Sequence, residues 1–345
     1  MKKIKLAVVG ATGVVGMVAR KVLEEKKLPI DEYIFLASKR SAGEKIEFMG
    51  KEYIVRELTE TSFDEGIDYA IFSAGGDTSK KFSPIAAAKG CIVVDNSSAF
   101  RMDENVPLVV PEVNPEEISN NKGIIANPNC STIQAVVALK PLEEKYKIKR
   151  IVYSTYQAVS GAGSKGIIDL ENGIKNYKNE SFDENSKTKY ELQKFPYPIF
   201  NDCLPQIDSA LENGYTKEEE KMINETRKIL KRPDLPVTAT TVRVPVFNSH
   251  SESINVEFEN DFELEELVNT LKNAPGIVVK DNLKENIFPL AINATGTDEV
   301  YVGRIRRDYS VKSGINMWVV ADNTRKGAAS NAIQIVEKMI ENTVQ

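Results

Sequence analysis

The sequence predicts an α/β protein of two domains, a doubly wound N-terminal domain and an α+β domain built on a mixed sheet. Three observations support this class. Apolar segments of buried-strand type alternate with helical segments up to Asn127, a glycine-rich turn follows the first of them, and 345 residues suffice for two cores. The predicted plan gives residues 1–127 and 323–345 to the first domain and residues 128–322 to the second.

The composition is that of an ordinary soluble globular protein, with 41% hydrophobic and 28% charged residues. Lys and Arg number 45 against 50 Asp and Glu, a net charge of −5, and because no basic block occurs we expect no nucleic-acid partner. The N-terminal apolar run is too short for a signal peptide or a membrane span, so we expect no membrane partner. Three widely spaced cysteines and one histidine form neither a disulfide framework nor a metal-ligand cluster, which favours a cytoplasmic protein with reduced thiols and no metal.

A glycine-rich turn joins the first predicted strand, Lys5–Val9, to an amphipathic helix. Its sequence, GATGVVG at residues 10–16, is a GxxGxxG variant of the dinucleotide-binding fingerprint, with Thr12 where the strict pattern has its second glycine. Glycines in this context let the backbone approach a pyrophosphate, and the helix N-terminus offers N–H groups to it. Strand, turn and helix together predict a Rossmann-type cofactor domain.

The second predicted strand, Glu32–Ala37, ends in the segment Ser38-Lys39-Arg40-Ser41. An NAD-binding domain usually places an acidic residue here for the ribose 2′-hydroxyl. Hydroxyls and two cations suit a 2′-phosphate instead, through charge-assisted hydrogen bonds. We therefore predict NADP as the cofactor; the alternative is that the two cations belong to a solvated turn.

Two further strands are predicted at Asp68–Ala74 and Cys91–Asp95, with a helical stretch at Ser83–Lys89 between them. Gly75-Gly76 leaves the first of these strands and is expected to extend the cofactor crevice at the carboxyl edge of the sheet. Arg101, in the loop after the second strand, either binds an anion or lies at the surface.

The segment Asn127-Pro128-Asn129-Cys130-Ser131-Thr132 follows the last strand of the first half. Proline disfavours the α conformation at the residue before it, and an apolar run with helical spacing begins at Ile133. Cys130 is therefore predicted at a helix N-terminus, where N–H groups and the helix dipole favour a thiolate. The alternative is a small buried hydrophobic residue.

The second half combines strand segments with one more glycine-rich turn. Gln157 and the turn containing Gly161 follow the first strand, and His250, the only histidine, lies in the turn between two later ones. A lone histidine is usually structural, but it is the side chain best suited to acid–base chemistry near neutral pH. Arg243 is flanked by valines and needs an anionic partner if it is buried. The strand segments are residues 149–157, 237–247, 252–258, 300–305 and 315–321, and the last helix is residues 328–340.

The connection between these strands is polar. Residues 175–194 are rich in Lys, Glu, Asn and Asp and are interpreted as a solvated helix and loop. A helix follows with Thr216 as its N-cap. On it, Glu218 and Lys221 lie on one face, where they pair with each other or present opposite charges to a zwitterionic ligand. Cys203 has no partner nearby in sequence and is expected to be buried or inert.

Four motifs occur in order over almost the whole chain: GATGVVG, NPNCST, YQAVSGAG and RVPVFNSHS. In these motifs the chain resembles aspartate-semialdehyde dehydrogenases of the bacterial kind. The resemblance implies NADP-dependent reduction of L-4-aspartyl phosphate to aspartate semialdehyde through a cysteine thioester, in lysine, threonine, methionine and diaminopimelate biosynthesis. It also implies a homodimer formed through the sheet of the second domain, or a homotetramer of such dimers.

The resemblance assigns roles to residues that match the family motifs. Cys130 is the expected nucleophile, His250 the general base and acid, and Gln157 the residue that orients the intermediate. N–H groups at the start of the Cys130 helix are expected to stabilise the oxyanion. Substrate or phosphate is expected on Arg101, Asn129, Glu218, Lys221 and Arg243. NADP is expected on Gly10, Thr12, Gly13, Val14, Val15, Ser38, Arg40, Ser41, Ser160, Gly161 and Asn323.

Three other functions remain open at this point. An acyl-CoA reductase of the malonyl-CoA type would use the same scaffold with a thioester substrate. A non-catalytic NADP-binding paralogue would have no need for a nucleophile together with a base. A cysteine hydrolase would leave the glycine-rich turn at residues 10–16 unexplained.

Overall fold

The computed structural model describes residues 3–177 and 191–344, and the chain divides into two compact units. Unit 1 consists of Met1–Ile133, Glu225–Arg232 and Thr324–Gln345, and unit 2 of Gln134–Asn224 and Pro233–Asn323. Residues 128–133 and 225–232, which the predicted plan gives to the second domain, thus belong to unit 1, and Asn323 belongs to unit 2.

Unit 1 is built on a six-stranded parallel sheet. Its elements are β1 (Lys5–Val9), α1 (Val14–Lys26), β2 (Glu32–Ala37), β3 (Lys45–Phe48), β4 (Lys51–Ile54), β5 (Arg56–Glu57), β6 (Tyr69–Phe72), α2 (Gly76–Ala88), β7 (Ile92–Asp95), β8 (Ile124–Ala126), the start of α3 (Cys130–Tyr146) and the C-terminal helix Ser330–Val344. The strand order β5-β2-β1-β6-β7-β8 winds outwards in both directions from β1, and β3 and β4 form a separate hairpin. This order confirms the predicted doubly wound domain.

Apolar side chains cover both faces of this sheet. On β1, Leu6 and Val8 belong to one buried cluster, and Ala7 and Val9 belong to another. Alternate residues of a strand point to opposite faces, so the two clusters lie on the two sides of the sheet. The C-terminal helix contributes Ile333 to the first cluster. Burial on both faces explains why these strands are continuous apolar runs in the sequence.

Two helices of unit 1 begin at residues other than those predicted. α2 starts at Gly76 instead of Ser83, with Asp77 in its first turn, where a carboxylate interacts favourably with the helix dipole. The C-terminal helix starts at Ser330 instead of residue 328, because a π-helical turn at Arg325–Ala329 precedes it. Turns of this kind are rare, and those that occur are frequently found at functional sites.

Unit 2 is built on a six-stranded mixed sheet, which confirms the predicted α+β second domain. Its elements after α3 are β9 (Ile148–Gln157), α4 (Ser164–Tyr177), α5 (Lys217–Ile229, in unit 2 as far as Asn224), β10 (Val237–Arg243), β11 (His250–Phe258), α6 (Leu264–Lys272), β12 (Ile277–Val279), α7 (Ala291–Ala294), β13 (Val300–Arg307) and β14 (Gly314–Ala321). The strand order is β10-β9-β11-β14-β13-β12, with parallel pairs at its two ends and antiparallel pairs between them.

The bounds of β10 and β11 correct the predicted ones. β10 ends at Arg243 instead of residue 247, because Pro245 has no N–H group for the strand ladder. β11 begins at His250 instead of residue 252. His250 is therefore the first residue of a strand and does not lie in the turn between strands.

One face of the unit 2 sheet is covered and the other is open. Along β11, the even-numbered residues from His250 to Phe258 are buried, and the odd-numbered residues between them are partly exposed. This alternation is typical of an antiparallel sheet with one solvated face. The predicted polar helix and loop at residues 175–194 fall mostly on residues 178–190, which lie outside the described residues.

Within residues 3–177 and 191–344, no helix combines the length and the apolar content needed to cross a bilayer. The same part of the chain contains no group of three or more His, Cys, Asp or Glu side chains arranged to hold a metal ion.

Candidate active site

The glycine-rich turn joins β1 to α1, and two of its glycines are required by packing. Gly10 has φ +83°, and a Cβ atom there would lie 2.5 Å from the carbonyl oxygen of Ser73. A Cβ atom on Gly16 would lie 2.1 Å from the carbonyl oxygen of Gly10. Gly13 is exposed at the helix start, whose first N–H groups have no acceptor within the helix and suit a pyrophosphate. The other predicted cofactor residues of the turn are half-buried: Thr12, Val14 and Val15.

The second predicted cofactor segment is the tight turn that follows β2. The N–H groups of Ser41 and Ala42 donate to the carbonyl oxygen of Ser38 at 2.9 and 3.1 Å. Ser38 and Arg40 are exposed, whereas Ser41 is buried. Because β1 and β2 are neighbouring parallel strands, their carboxyl ends bring this turn and the glycine-rich turn to one edge of the sheet.

Cys130 is the first residue of α3, which confirms its predicted place at a helix start. The side-chain Oδ1 of Asn129 accepts hydrogen bonds from the N–H groups of Ser131 at 2.9 Å and Thr132 at 3.4 Å, so Asn129 caps the helix. These two N–H groups are engaged by the cap, and the expectation that N–H groups at this helix start stabilise an oxyanion stays a prediction. The helix dipole still favours a thiolate at Cys130.

A π-helical turn that sequence analysis missed packs against Cys130. A Cβ atom on Gly327 would lie 2.9 Å from the Cβ atom of Cys130, so this contact requires glycine. The preceding Lys326 is fully buried. Its ammonium group donates to three side-chain oxygens, those of Glu112 at 2.6 Å, Gln334 at 2.8 Å and Asn331 at 3.1 Å. The signal in the sequence was a pair of charged residues, Arg325 and Lys326, followed by small residues just before the last helix.

Arg101 is buried, so the interpretation as a surface arginine is wrong. Its Nε donates to the carbonyl oxygen of Asn127 at 2.9 Å, Nη2 to that of Asn96 at 2.9 Å, and Nη1 to Oε1 of Glu225 at 3.0 Å. A guanidinium has five N–H donors. One donor on each terminal nitrogen therefore remains, among the described residues, for an anion. No pattern in the sequence pointed to Glu225 as a partner of Arg101, because the two residues are far apart along the chain.

Three predicted residues of unit 2 lie in one row on the covered face of the sheet. Arg243 on β10 pairs in register with Gln157 on β9, and the register of β9 with β11 places His250 beside Gln157. All three side chains are buried. A Cβ atom on Gly161 would lie 2.9 Å from Nη1 of Arg243 and 3.2 Å from Nε2 of His250. The second glycine-rich turn therefore passes directly over this row.

A backbone hydrogen bond determines the tautomer of His250. Its Nδ1 accepts the N–H of Ala158 at 2.9 Å, and an imidazole that accepts at Nδ1 carries its proton on Nε2 when it is neutral. Burial lowers the pKa of His250 well below 6.5, and the charge of Arg243 lowers it further. The ring is then neutral near pH 7 and offers Nε2–H as a donor. In this tautomer Nε2 carries the proton, and the expected role of His250 as general base and acid stays a prediction.

The helix that carries Glu218 and Lys221 starts with a capping box, which confirms Thr216 as its N-cap. Oγ1 of Thr216 accepts the N–H of Glu219 at 3.3 Å, and a carboxylate oxygen of Glu219 accepts the N–H of Thr216 at 2.7 Å. The cap fixes the first turn, on which Glu218 is 6% exposed.

Glu218 and Lys221 form the ion pair expected of their spacing, with Nζ and Oε2 separated by 3.1 Å. The other oxygen of Glu218 accepts the amide of Gln157 at 3.3 Å, and Lys221 also donates to Asp208 at 2.8 Å. Burial lowers the pKa of Lys221, but Glu218 and Asp208 raise it by more, so the net shift is upwards and Lys221 stays charged. The structure thus joins Glu218 to Gln157, and it adds Asp208, which sequence analysis missed.

The predicted cofactor residues of unit 2 also lie together. The amide Nδ2 of Asn323 donates to the hydroxyl of Ser160 at 3.0 Å, and Oδ1 of Asn323 accepts the N–H of Ser249 at 2.9 Å. Gly161, next to Ser160, is exposed. The remaining predicted cofactor residues are all in unit 1.

The three cysteines differ in exposure. Cys130 is half-buried, Cys91 is buried and Cys203 is exposed. Burial raises the pKa of Cys91 to about 12, so this thiol is unreactive near neutral pH. Of the two alternatives expected for Cys203, buried or inert, the exposure excludes the first, and the second stays a prediction.

Both halves of the chain match known families. The semialdehyde dehydrogenase NAD binding domain matches residues 5–121, and the semialdehyde dehydrogenase dimerisation domain matches residues 139–326. The chain is 55% identical over 339 residues to aspartate-semialdehyde dehydrogenase of Aquifex aeolicus, with 98% of each chain covered.

Two solved structures extend the comparison. Aspartate semialdehyde dehydrogenase II from Vibrio cholerae, complexed with ASA, has 45% sequence identity, a TM-score of 0.92 and 99% of each chain covered. Aspartate semialdehyde dehydrogenase with NADP from Candida albicans has 26% identity, a TM-score of 0.76 and 100% of each chain covered. The chain therefore belongs to the aspartate-semialdehyde dehydrogenases, and it is an enzyme with that activity in the biosynthesis of the aspartate family of amino acids.

Proposed function

We propose that the enzyme reduces L-4-aspartyl phosphate to L-aspartate 4-semialdehyde with NADPH, through a thioester on Cys130. The observation that carries this proposal is the environment of Cys130, a half-buried thiol at the first position of α3. Arg101 donates a hydrogen bond into the same turn, to the carbonyl oxygen of Asn127. A thiolate beside an anion-binding arginine suits the displacement of phosphate from an acyl carbon.

For the cofactor we propose NADP. The glycine-rich turn suits the pyrophosphate, and the exposed hydroxyls and cations after β2 suit a 2′-phosphate. Ser160, Gly161 and Asn323 are proposed near the nicotinamide half. When bound, NADPH supplies the hydride that reduces the acyl carbon. We accordingly assign NADP binding mainly to unit 1, which also contains Arg101, Asn129 and Cys130, and the other substrate contacts and the dimer contacts to unit 2.

In the proposed first step, Sγ of Cys130, as a thiolate that has already lost its proton to solvent, attacks the carbonyl carbon of the acyl phosphate. The C–S bond forms, and the bond from carbon to the phosphate oxygen breaks. Arg101 receives the phosphate on its two remaining N–H donors. Asn129 and Lys221 are proposed to bind the same phosphate. Arg243 is proposed to pair with the substrate α-carboxylate and Glu218 with its amino group, so that the substrate is held at both charged ends.

For His250 we propose the role of a hydrogen-bond donor. Its Nε2–H would donate to the substrate carbonyl oxygen as that oxygen becomes negative, and Gln157, beside it in the sheet, would orient the same intermediate. After reduction, the thiohemiacetal oxyanion re-forms the carbonyl and expels the Cys130 thiolate directly. This collapse requires no proton transfer to the ring, which agrees with a ring held neutral.

We further propose a homodimer formed through the open face of the unit 2 sheet. On this face Tyr156 and Trp318 lie side by side, with ring centroids 5.3 Å apart, and Tyr156 is 39% exposed. Exposed aromatic pairs are typical of protein interfaces, and this unit contains the match to a dimerisation domain. The thiol chemistry suits the cytoplasm, where Cys130 stays reduced.

The proposal is tested by running the reaction in reverse, with purified protein, aspartate semialdehyde and NADP, and by following NADPH absorbance with and without inorganic phosphate. A phosphate-dependent rise supports it. A rise that needs CoA instead of phosphate would identify an acyl-CoA reductase, and no rise despite NADP binding would identify a non-catalytic paralogue. Replacing NADP by NAD in the same assay measures the cofactor preference.

Cys130→Ala is the matched variant for the thioester step. We expect no measurable turnover and unchanged NADP binding, because the side chain that carries the acyl group is removed while the glycine-rich turn is intact. Loss of NADP binding in this variant would contradict the assignment of the cofactor site.

A further inference from the structure

Glu225 is a buried carboxylate that contacts two residues of the proposed site. It lies in the part of α5 that belongs to unit 1, and it is 1% exposed. Its Oε1 accepts Nη1 of Arg101 at 3.0 Å, and its Oε2 accepts the backbone N–H of Asn129 at 2.6 Å. One side chain thus joins the loop that carries Arg101 to the residue that precedes Cys130.

Lys228, three residues further along α5, holds the same loop by its backbone. Its Nζ donates to three carbonyl oxygens, those of Arg101 at 2.8 Å, Asp103 at 2.7 Å and Val106 at 2.9 Å. An ammonium group has three donors, so all of them are used on this loop. One turn of α5 therefore fixes both the backbone and the side chain of Arg101.

The hydrogen bonds of Arg101 leave its anion-binding capacity intact. One acceptor is bound to each of its three nitrogens, which fixes the plane of the guanidinium, and one N–H on each terminal nitrogen remains. Each terminal nitrogen thus keeps one N–H that can donate a charge-assisted hydrogen bond to a phosphate oxygen. A carboxylate buried in this way is unfavourable unless it is fully hydrogen-bonded, and both oxygens of Glu225 meet that condition.

We propose that Glu225 is a positioning residue for the phosphate step, because it sets the distance between the Arg101 guanidinium and the Cys130 thioester. This inference rests on the proposed function, which gives Arg101 the phosphate and Cys130 the acyl group. In the reverse reaction a phosphate oxygen attacks the thioester carbon, the new C–O bond forms, the C–S bond breaks, and the sulfur leaves as a thiolate. The attack succeeds only if the bound phosphate and the acyl carbon are held at the right separation.

The test compares Glu225→Gln with the matched control Glu220→Gln on the same helix. Among the described residues, the carboxylate of Glu220 bonds Asn213 at 3.0 Å and Asn224 at 2.8 Å. Rapid mixing with aspartate semialdehyde and NADP, without phosphate, measures thioester formation as a burst of NADPH. Steady-state rates then give kcat and KM for inorganic phosphate, and calorimetry gives the Kd for phosphate on the protein alone.

In Glu225→Gln we expect the KM and Kd for phosphate to rise about tenfold or more, the effect of losing one charge-assisted hydrogen bond. The NADPH burst and the Kd for NADP should stay within about twofold of the wild type. Glu220→Gln should match the wild type in every measurement. An unchanged KM for phosphate in Glu225→Gln overturns the inference. An equal loss of the NADPH burst and of the phosphate step also overturns it, because a merely structural role of Glu225 would weaken both steps alike.

Glu225→Asp separates position from charge. Aspartate keeps the charge but is shorter by about 1.5 Å, so it cannot reach Arg101 and Asn129 together, and the KM for phosphate should stay raised. Full recovery by aspartate would show that charge alone matters and would overturn the inference. A failure of the proposed function would be distinguished by the wild type itself, which would then show no phosphate-dependent formation of NADPH.

Discussion

His250 and Glu252 are two residues apart on the covered face of β11, and both are fully buried. Burial lowers the pKa of His250 and raises the pKa of Glu252, in each case towards the uncharged form. Neither carboxyl oxygen of Glu252 has a hydrogen-bond partner among the described residues. At the scale of single residues, both side chains at this end of the strand are therefore neutral and poorly solvated. His250 becomes charged only at low pH, and Glu252 becomes charged only at high pH.

The lowered pKa of His250 predicts the acid limb of the pH profile. Protonation at Nδ1 would remove the hydrogen bond from Ala158, and the folded protein resists it until the pH is well below 6.5. We therefore expect the limb of kcat/KM that belongs to His250 to lie below pH 6.5. His250→Gln keeps an N–H donor that does not titrate, so its slower reaction should lack this limb. A limb at pH 7 or above that disappears in the variant would contradict the assignment.

Glu252 predicts a dependence of stability on pH. Its folded pKa is raised above the unfolded value of 4.5, so between these two values the folded protein binds the additional proton and stability falls as pH rises. Glu252→Gln should remove this loss. Its free energy of unfolding should exceed that of the wild type by a margin that grows by about 1.4 kcal/mol per pH unit in this window. Denaturant titrations at pH 4.5 to 9 measure it, and Glu265→Gln, at an exposed position, is the control that should show no such trend.

At the scale of elements, the residues around Cys130 come from three separate pieces of chain. Asn129 caps α3, the turn of α5 with Glu225 bonds to Asn129, and the π-helical turn brings Gly327 against Cys130. Lys326 anchors this last turn through its bonds to Glu112 and two amides. A buried lysine without these acceptors would be strongly destabilising, so its bonds hold the turn in place.

Gly327→Ala tests the contact between the π-helical turn and Cys130. The added methyl group would lie 2.9 Å from the Cβ atom of Cys130, so one of the two segments must move, at an expected loss of about 1–3 kcal/mol in the free energy of unfolding. We also expect slower alkylation of Cys130 by iodoacetamide, measured in a Cys203→Ser background because Cys203 is exposed. Gly76→Ala, whose added methyl group meets no atom within 4 Å, is the control. Wild-type alkylation and stability in Gly327→Ala would show that the turn is not a tight contact.

At the scale of the whole molecule, the open face of the unit 2 sheet is the surface proposed to join two chains of 38.4 kDa. Light scattering of the wild type should give the mass of a dimer or of a tetramer of dimers. Trp318→Glu places a charge beside Tyr156 on this face and should weaken the association about a hundredfold. Ile54→Glu is the control, because Ile54 is 60% exposed and lies on β4 of unit 1. A Trp318→Glu protein that keeps the wild-type mass would exclude this face as the interface.

The sequence by itself determined the local elements and the residues that define them. Gly10 and Gly16, next to an apolar strand, mark a turn that only glycine can make, and the segment before Cys130 marks a helix start. Such features depend on residues adjacent in the chain, because backbone preference and hydrophobic spacing act over a few positions. The alternation of apolar and amphipathic segments likewise determined the doubly wound class of the first domain and the mixed sheet of the second.

Only the tertiary structure decided which polar groups meet. Glu225 contacts Arg101 and Asn129 from more than ninety positions away, Lys326 reaches Glu112 across more than two hundred, and the tautomer of His250 depends on the N–H of Ala158. A charged residue is buried only where folding supplies its partner, and no local pattern specifies that partner. The family motifs therefore indicated the residues proposed to react, whereas the contacts that orient them were decided by the packing of distant segments.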